Sequence, residues 1–172
     1  AYLYNIPITG LRFFTVYGSW GRPDMSYFKF TKAILEGKPI DVYNYGNMKR
    51  DFTYIDDIIE GIVRLIDKIP SPNPNWNREL PDPSSSCAPY RLYNIGNNNP
   101  VDLLYFIEVL EKTIGKKTKI NFLPMQSGDV LETYADIKDL TKVTEFKPQT
   151  SIEEGVNKFV SWYKDYHEIY LQ

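Results

Sequence analysis

"MKRDFTYIDDIIEGIVRLIDKI", Met48 to Ile69, is the stretch on which the reading of the fold turns. In its first part Phe52 and Tyr54 alternate with Thr53, as they do on a strand, where successive side chains point to opposite faces. The period then changes. Ile58, Ile59, Ile62, Val63, Leu65, Ile66 and Ile69 recur at helical spacing, predicting a helix over Asp56–Ile69 with a wide buried stripe. Asp57 with Glu60 reads as a capping-box-like start. Lys49 and Arg50 stand at the head of this strand-to-helix corner, where two cations beside aromatic rings suit either a phosphorylated ligand or an ordinary turn.

The same alternation extends in both directions. "GLRFFTVYG" (Gly10–Gly18) is β-branched and aromatic and reads as one buried strand, "SYFKFTKAILEG" (Ser26–Gly37) as a helix ended by its glycine, and "PIDVYNYG" as a short strand. "YRLYNIGN" (Tyr90–Asn97) returns to a strand, and "PVDLLYFIEVLEKTIG" is a helix begun by Asn99-Pro100 and stopped by Gly115. "KINFLPM" is a strand, Ser127–Asp136 a loop with a short extended piece, and "DIKDLTKVTEF" a helix capped by Asp136. Thr150, with Glu153 completing a capping box, opens a last helix from Ser151 to about Tyr170, whose Trp162, Tyr163, Tyr166, Ile169 and Tyr170 form a packing stripe. Six prolines mark Pro70–Pro89 as a loop, long enough to be a lid or a mobile insert. Strands alternating with helices predict an α/β architecture. The glycine-rich turn that seats a pyrophosphate in dinucleotide folds, G-x-G-x-x-G, does not occur.

Composition narrows the function. Of 172 residues 42% are hydrophobic, enough for a sizeable core, and a net charge of −2 with interspersed signs argues against nucleic acid or a membrane surface as partner. No apolar run approaches the roughly 20 residues of a membrane span. One cysteine, Cys87, excludes an internal disulfide and makes a reducing, cytoplasmic location the simpler reading; without a neighbouring base it is no nucleophile. No group of His, Cys, Asp and Glu has metal-ligand spacing, and the lone His167 reads as a surface residue. The opening "AYLYNIPITG" has no signal-peptide pattern, lacks an initiator Met and reads as the tail of a helix, as though the chain begins in mid-protein.

Four strings, "LRFFTVYGSWGRPDM" (Leu11–Met25), "MKRDFTYIDDI" (Met48–Ile58), "YRLYNIGNN" (Tyr90–Asn98) and "GDVLETYADI" (Gly128–Ile137), stand in a telling order. In order and approximate spacing they resemble the C-terminal half of UDP-glucuronate 4-epimerases, members of the extended short-chain dehydrogenase/reductase family of nucleotide-sugar enzymes. The likeness covers essentially the whole chain. It departs at Ser19, where the subfamily usually has Pro, which bears on a turn. The resemblance implies one substrate-binding part over residues 1–172, of Rossmann-type α/β fold but lacking the glycine-rich NAD-binding half. It implies interconversion of UDP-glucuronate and UDP-galacturonate through a 4-keto sugar. A hydride leaves C4 for NAD and returns to the other face, while a Tyr of a Y-x-x-x-K pair, its phenol acidified by the lysine, exchanges the hydroxyl proton. That pair and most of the NAD site are expected in an N-terminal half upstream of "GLRFF", so no catalytic residue is expected here. Tyr45…Lys49 and Tyr134…Lys138 fit the string, but with 14 tyrosines such strings arise by chance.

By resemblance, Phe14 and Val16 contact the nicotinamide side and Thr15 hydrogen-bonds the sugar; the plain alternative is a buried strand end. Arg22 suits the diphosphate or the sugar carboxylate, because a guanidinium holds either through two parallel bonds, and otherwise it is a solvated loop arginine; Asp24 and Met25 help to shape the pocket. Arg50 pairs with the UDP diphosphate, Tyr43 packs against uracil or ribose, and Asp129 reaches the ribose or its arginine clamp, the alternative for Asp129 being an Asx turn. Phe52 and Tyr54 are core, Asp56 and Asp57 cap the helix, and Lys49 is solvated. The expected partners are a UDP-sugar and, for the full-length enzyme, a second copy; the chain alone is expected to be inactive and to self-associate through the first strand and the Ala1–Pro7 tail. The alternatives are a UDP-glucose 4-epimerase, dehydratase or decarboxylase of the same family, or a stand-alone nucleotide-binding or interaction module.

Overall fold

The computed structural model describes residues 1–168. It is α/β, with seven short strands and five helices in the order β1 (Ile8–Phe13), β2 (Thr15–Tyr17), α1 (Ser26–Leu35), β3 (Ile40–Val42), β4 (Lys49–Tyr54), α2 (Ile55–Leu65), β5 (Tyr90–Ile95), β6 (Pro100–Asp102), α3 (Leu103–Ile114), β7 (Ile120–Phe122), α4 (Lys138–Thr144) and α5 (Ile152–Tyr166). Three small sheets result: β1 parallel to β5; β2 parallel to β4, which is antiparallel to β6; and β3 parallel to β7.

The apolar run of Gly10–Gly18, expected as one strand, is two. β1 runs with β5 in the register Leu11 to Tyr93; at Phe14, whose N–H still reaches the Ile95 carbonyl at 3.1 Å, the chain leaves β5 and pairs with β4, Thr15 opposite Phe52. One β-rich sequence thus serves two sheets in turn. Other boundaries differ as well. The strand expected over 39–46 stops at Val42, because Asn44 and Tyr45 turn left-handed at φ 50° and 53° and a short 3-10 turn, Tyr43–Gly46, follows. "KINFLPM" is strand only over Ile120–Phe122. Pro100 begins β6 rather than α3, since Pro100–Asp102 pair with Asp51–Lys49, and α3 starts at Leu103; Gly115, left-handed at φ 79°, ends it as expected. The last helix is capped by Ser151, whose hydroxyl accepts from the Glu154 N–H at 3.1 Å, not by Thr150 with Glu153. Asp136 accepts from the Lys138 N–H at 3.1 Å, at the start of α4. Ile169 and Tyr170, assigned to the terminal stripe, lie outside the described residues.

Helix α2 departs most from expectation. It spans Ile55–Leu65, and no side chain caps its start. Asp57 instead accepts from the Thr150 N–H at 3.0 Å, tying α2 to the segment before α5, and Glu60 pairs with Arg64 one turn on. Of the expected buried stripe, Ile58 and Leu65 are buried and Ile62 is half-buried, while Ile59, Val63, Ile66 and Ile69 are 51–73% exposed. So wide an apolar stripe is covered throughout only where more than one neighbour packs on it, and the described residues cover part of it.

Two cores hold the elements. The larger joins α1, α3 and α5 to β2, β3 and β4 around Tyr17, Tyr27, Phe52, Phe106, Leu110 and Phe159, with Phe52 stacked on Phe106 at 4.4 Å. Phe52 and Tyr54 are core, as the alternation suggested, but Thr53 is buried too, because β4 is central and covered on both faces. The smaller joins α2, α4 and β5 through Ile58, Leu65, Tyr93, Ile95 and Leu140. The proline-rich 70–89 loop folds back beside β5: the Leu92 N–H reaches Ser84, Asn73 bonds Ser85 and Ser86, and Asp82 bonds Ser84 and Ser85. Among the described residues no helix is long and apolar enough to cross a membrane.

A buried carboxylate joins the pieces. Asp51, wholly buried at the middle of β4, accepts three backbone N–H bonds at 2.8–3.0 Å, from Asn97 and Asn98 after β5 and from Ala135 in the loop before α4. Its own N–H donates to Thr133 Oγ1 at 3.0 Å. Asp51→Ala is therefore expected to strand three donors and to lower unfolding stability by at least about 3 kcal/mol, read by urea denaturation; a loss under about 1 kcal/mol would mean that water replaces the carboxylate. Gly155 gives a second test, because a Cβ there would lie 2.0 Å from the hydroxyl of buried Tyr17. Gly155→Ala is expected to destabilise by about 1–3 kcal/mol through overpacking, against the gain of up to about 1 kcal/mol that helix propensity alone gives.

Candidate functional site

The chain's first corner, where β1 gives way to β2, opens a cavity of about 470 Å³ lined by Phe13, Phe14, Val16, Trp20, Arg22 and Met25. Its wall is aromatic and aliphatic, because the strand run that changes sheets at Phe14 is apolar on both sides. Arg22 stands at its edge on the loop to α1. Its side chain is 73% exposed, with Nε 3.4 Å from Asp24 and Nη2 donating to Met25 Sδ at 3.2 Å. Thr15, half-buried between Phe14 and Val16, pairs with Phe52 and is not among the lining residues.

A second cavity, about 230 Å³, lies between the start of α1, the end of β3 and β4. Tyr43, Arg50 and Asp129 all line it, Asp129 from a chain stretch far from the other two, and Ser26, Asp41 and Leu103 are among the rest of its lining. Arg50 is well held: Nη2 donates to Asp129 Oδ1 at 2.7 Å, and Nη1 to the carbonyls of Lys49 and Leu131 at 2.8 and 3.3 Å. Asp129 arrives there because its loop runs beside β4, the Lys49 N–H bonding Leu131 and the Thr133 N–H bonding Lys49. A third cavity, about 430 Å³, shares Ser26, Phe30, Asp41 and Tyr43 with the second and continues past Asp24, Lys29 and Gln126. The first turns of α1 stand between these and the first cavity, Met25 and Tyr27 facing one, Ser26 and Phe30 the other.

The arrangement can bind anions and a flat ring; it is poorly equipped for proton transfer. Tyr17 and Tyr27 both line the first cavity. Burial pushes the Tyr17 phenol far above the ordinary tyrosine range, and pushes Tyr27 up by more than nearby Arg22 draws it down. A phenol serving as base needs the opposite shift. Tyr45 and Tyr134, of the two Y-x-x-x-K strings, are each 58% exposed and stand in a turn and a loop. The 70–89 loop lines none of the three cavities.

Two residues beside these cavities escaped the sequence reading. Asp51 had a weak signal, an acid set directly before the Phe52–Tyr54 strand segment, where it is either bonded or misplaced. Trp20 had none: it lies in a polar loop, and its partners are some 140 residues away.

Residues 1–77 match the model of the NAD dependent epimerase/dehydratase family. Protein CapI of Staphylococcus aureus is 59% identical over 98% of this chain and 50% of its own length. A probable UDP-glucuronate 4-epimerase of Rhizobium meliloti is 52% identical over 95% of this chain and 48% of its own. Among solved structures, UDP-glucuronic acid 4-epimerase from Bacillus cereus, in complex with UDP-glucuronic acid and NAD, superposes with a TM-score of 0.79 at 32% identity, over 96% of this chain and 48% of that one. The chain thus spans about half the length of the relatives it matches. The resemblance read from the motifs is shown: over nearly all of its own length this chain is similar to about half of a UDP-glucuronate 4-epimerase, and its first part matches the NAD dependent epimerase/dehydratase family.

Proposed function

We propose that this chain is the substrate-binding half of an NAD-dependent UDP-glucuronate 4-epimerase, gripping the UDP-sugar while proton and hydride transfer are completed by the other half. The convergence of Tyr43, Arg50 and Asp129 on one cavity carries the reading. Tyr43 offers a ring face to uracil or ribose, and Arg50 directs its remaining N–H groups at the diphosphate, with Asp129 fixing the guanidinium. Across the start of α1, Arg22 stands where the sugar carboxylate or the diphosphate can meet it, and Thr15, on the strand between, is assigned a hydrogen bond to the sugar. The aromatic and aliphatic wall of Phe13, Phe14 and Val16 fits one face of a nicotinamide ring, so Phe14 and Val16 are assigned to the cofactor. When bound, NAD supplies the acceptor and donor of hydride at the sugar's C4. The chain's own share is to bind, to orient and to exclude water.

The test is turnover of the full-length enzyme on UDP-glucuronate against UDP-glucose and dTDP-glucose, with UDP-galacturonate as the expected product; preferential turnover of either neutral sugar would move the assignment to a related epimerase or dehydratase. In that enzyme Arg50→Ala is expected to weaken UDP binding about 10- to 100-fold, the range of a lost charge-assisted hydrogen bond. Arg22→Ala is expected to weaken UDP-glucuronate more than UDP. Unchanged affinity for both ligands in both variants would sink the proposal.

The isolated chain is expected to be inactive and to self-associate. Tyr2, Leu3, Tyr4, Ile6 and Phe13 are 54–82% exposed, and the outward side chains of α2 add to the apolar surface. Light scattering at rising concentration checks this, and a monomer throughout would refute it.

A further inference from the structure

The loop that carries Arg22 is held by aromatic stacking from the far end of the chain. Trp20, two residues before Arg22, sits left-handed at φ 62°, a conformation in which a bulky residue is disfavoured. Its ring is 76% exposed and would have little to hold it were it not for α5. There it lies 5.5 Å from the Trp162 ring and 5.1 Å, edge-on, from Tyr166, and those two rings stack on each other at 5.2 Å. On the other side of Trp20 the backbone is fixed as well, because a Cβ at Gly21 would fall 1.7 Å from the Tyr27 hydroxyl, so the loop presses on α1. Between these two points the chain has little freedom, and the next residue is Arg22, at the edge of a cavity that Trp20, Gly21 and Tyr27 line too.

We propose that Trp20 is a positioning residue for Arg22: the clasp of Trp20 on Trp162 and Tyr166 determines where the Arg22 guanidinium stands, and so how strongly the site prefers an anionic sugar. This rests on the assignment of Arg22 to an anionic group of the ligand made above. The backbone conformation at Trp20 is offset by stacking that only a large aromatic ring can make. A small side chain there lets the loop relax, and Arg22 is then no longer pre-organised. The clasp also gives the aromatic end of α5, otherwise remote from the cavities, a part in ligand choice.

The experiment uses the full-length enzyme and two ligands, UDP and UDP-glucuronate, with dissociation constants from calorimetry and KM and kcat from turnover. Trp20→Ala is expected to raise the dissociation constant and KM for UDP-glucuronate roughly tenfold, leaving UDP binding unchanged and changing kcat little. Trp20→Phe should restore most of the loss, and Trp162→Leu should reproduce it. Combined with Arg22→Ala, Trp20→Ala should add nothing, since both act through one contact. Exciton-coupled circular dichroism of the Trp20–Trp162 pair should disappear in Trp20→Phe and in Trp162→Leu alike. If Arg22→Ala fails to separate the two ligands, the assignment of Arg22 is wrong and this proposal falls with it. If Arg22→Ala separates them and Trp20→Ala does not, or weakens UDP equally, the clasp alone is refuted.

Discussion

The structure is organised around a carboxylate that has been taken out of water. Asp51 is wholly buried, and such a group is tolerated only where its oxygens find donors. Here they find three backbone N–H groups from two different loops. The close approach this needs is possible because residue 96 is glycine: a Cβ there would lie 2.5 Å from the Ala135 Cβ and 3.3 Å from Asp51 itself. The consequence for the site is direct. Arg50 precedes Asp51 in β4, and the loop bonded to Asp51 through Ala135 and Thr133 is the one that brings Asp129 to Arg50. The ion pair at the second cavity is therefore a by-product of a buried polar knot one residue away. An exposed arginine–carboxylate pair formed without such support contributes little.

How much of this could be read from the sequence depends on the range of the physics involved. The strand at Phe52–Tyr54, the helix after it and the left-handed stop at Gly115 rest on local periodicity and backbone sterics, and all are present. In several places where the expectation failed, a distant partner decided. Nothing in "GLRFFTVYG" says that β5 ends at Ile95 and that the chain must pass to β4, so one strand became two. Asp57 could not be known to face Thr150, far along the chain, and Pro100 reads as a helix opener until β4 is there to pair with it. For the candidate site, Tyr43 and Arg50 stand close together in the chain, whereas nothing local to either says that Asp129 lies beside them.

Helix α2 shows that a pattern can be read correctly and still mislead about burial. Its apolar residues form a stripe about half the helix circumference wide, opposite Asp56, Asp57, Glu60 and Arg64, and wider than a single neighbour covers. In the described residues Ile58 and Leu65 face the smaller core, while Ile59, Val63 and Ile66 face outward. The β1–β5 ribbon has the same character. Parallel strands are normally covered on both faces, yet Ile8 and Phe13 are 41% and 54% exposed. Helix and ribbon both border the smaller core, which is thin on the side of their exposed apolar residues. In the proposed function this thin side is where the other half of the enzyme would pack, and the apolar surface is then an interface rather than a defect of the core.

The two arginines assigned to ligand illustrate two ways of holding a cation. Arg50 is held in advance: its side chain is 18% exposed and three of its bonds are already made. A guanidinium has five N–H donors, so two remain for a ligand. Because Asp129 already neutralises it, the attraction it exerts on a diphosphate is directional hydrogen bonding more than net charge, and little side-chain entropy is lost when the ligand arrives. Arg22 is the opposite case, 73% exposed and paired only loosely with Asp24. Its charge is less committed, but holding a long exposed side chain in one place costs entropy that a surface ion pair does not recover. Discrimination between a charged and a neutral sugar needs a group whose position is as reliable as that of Arg50 and whose charge is as available as that of Arg22. A side chain meets both demands when its backbone is fixed and its guanidinium is only loosely engaged, and in the proposed positioning role the Trp20 stack on α5 supplies the first of these conditions.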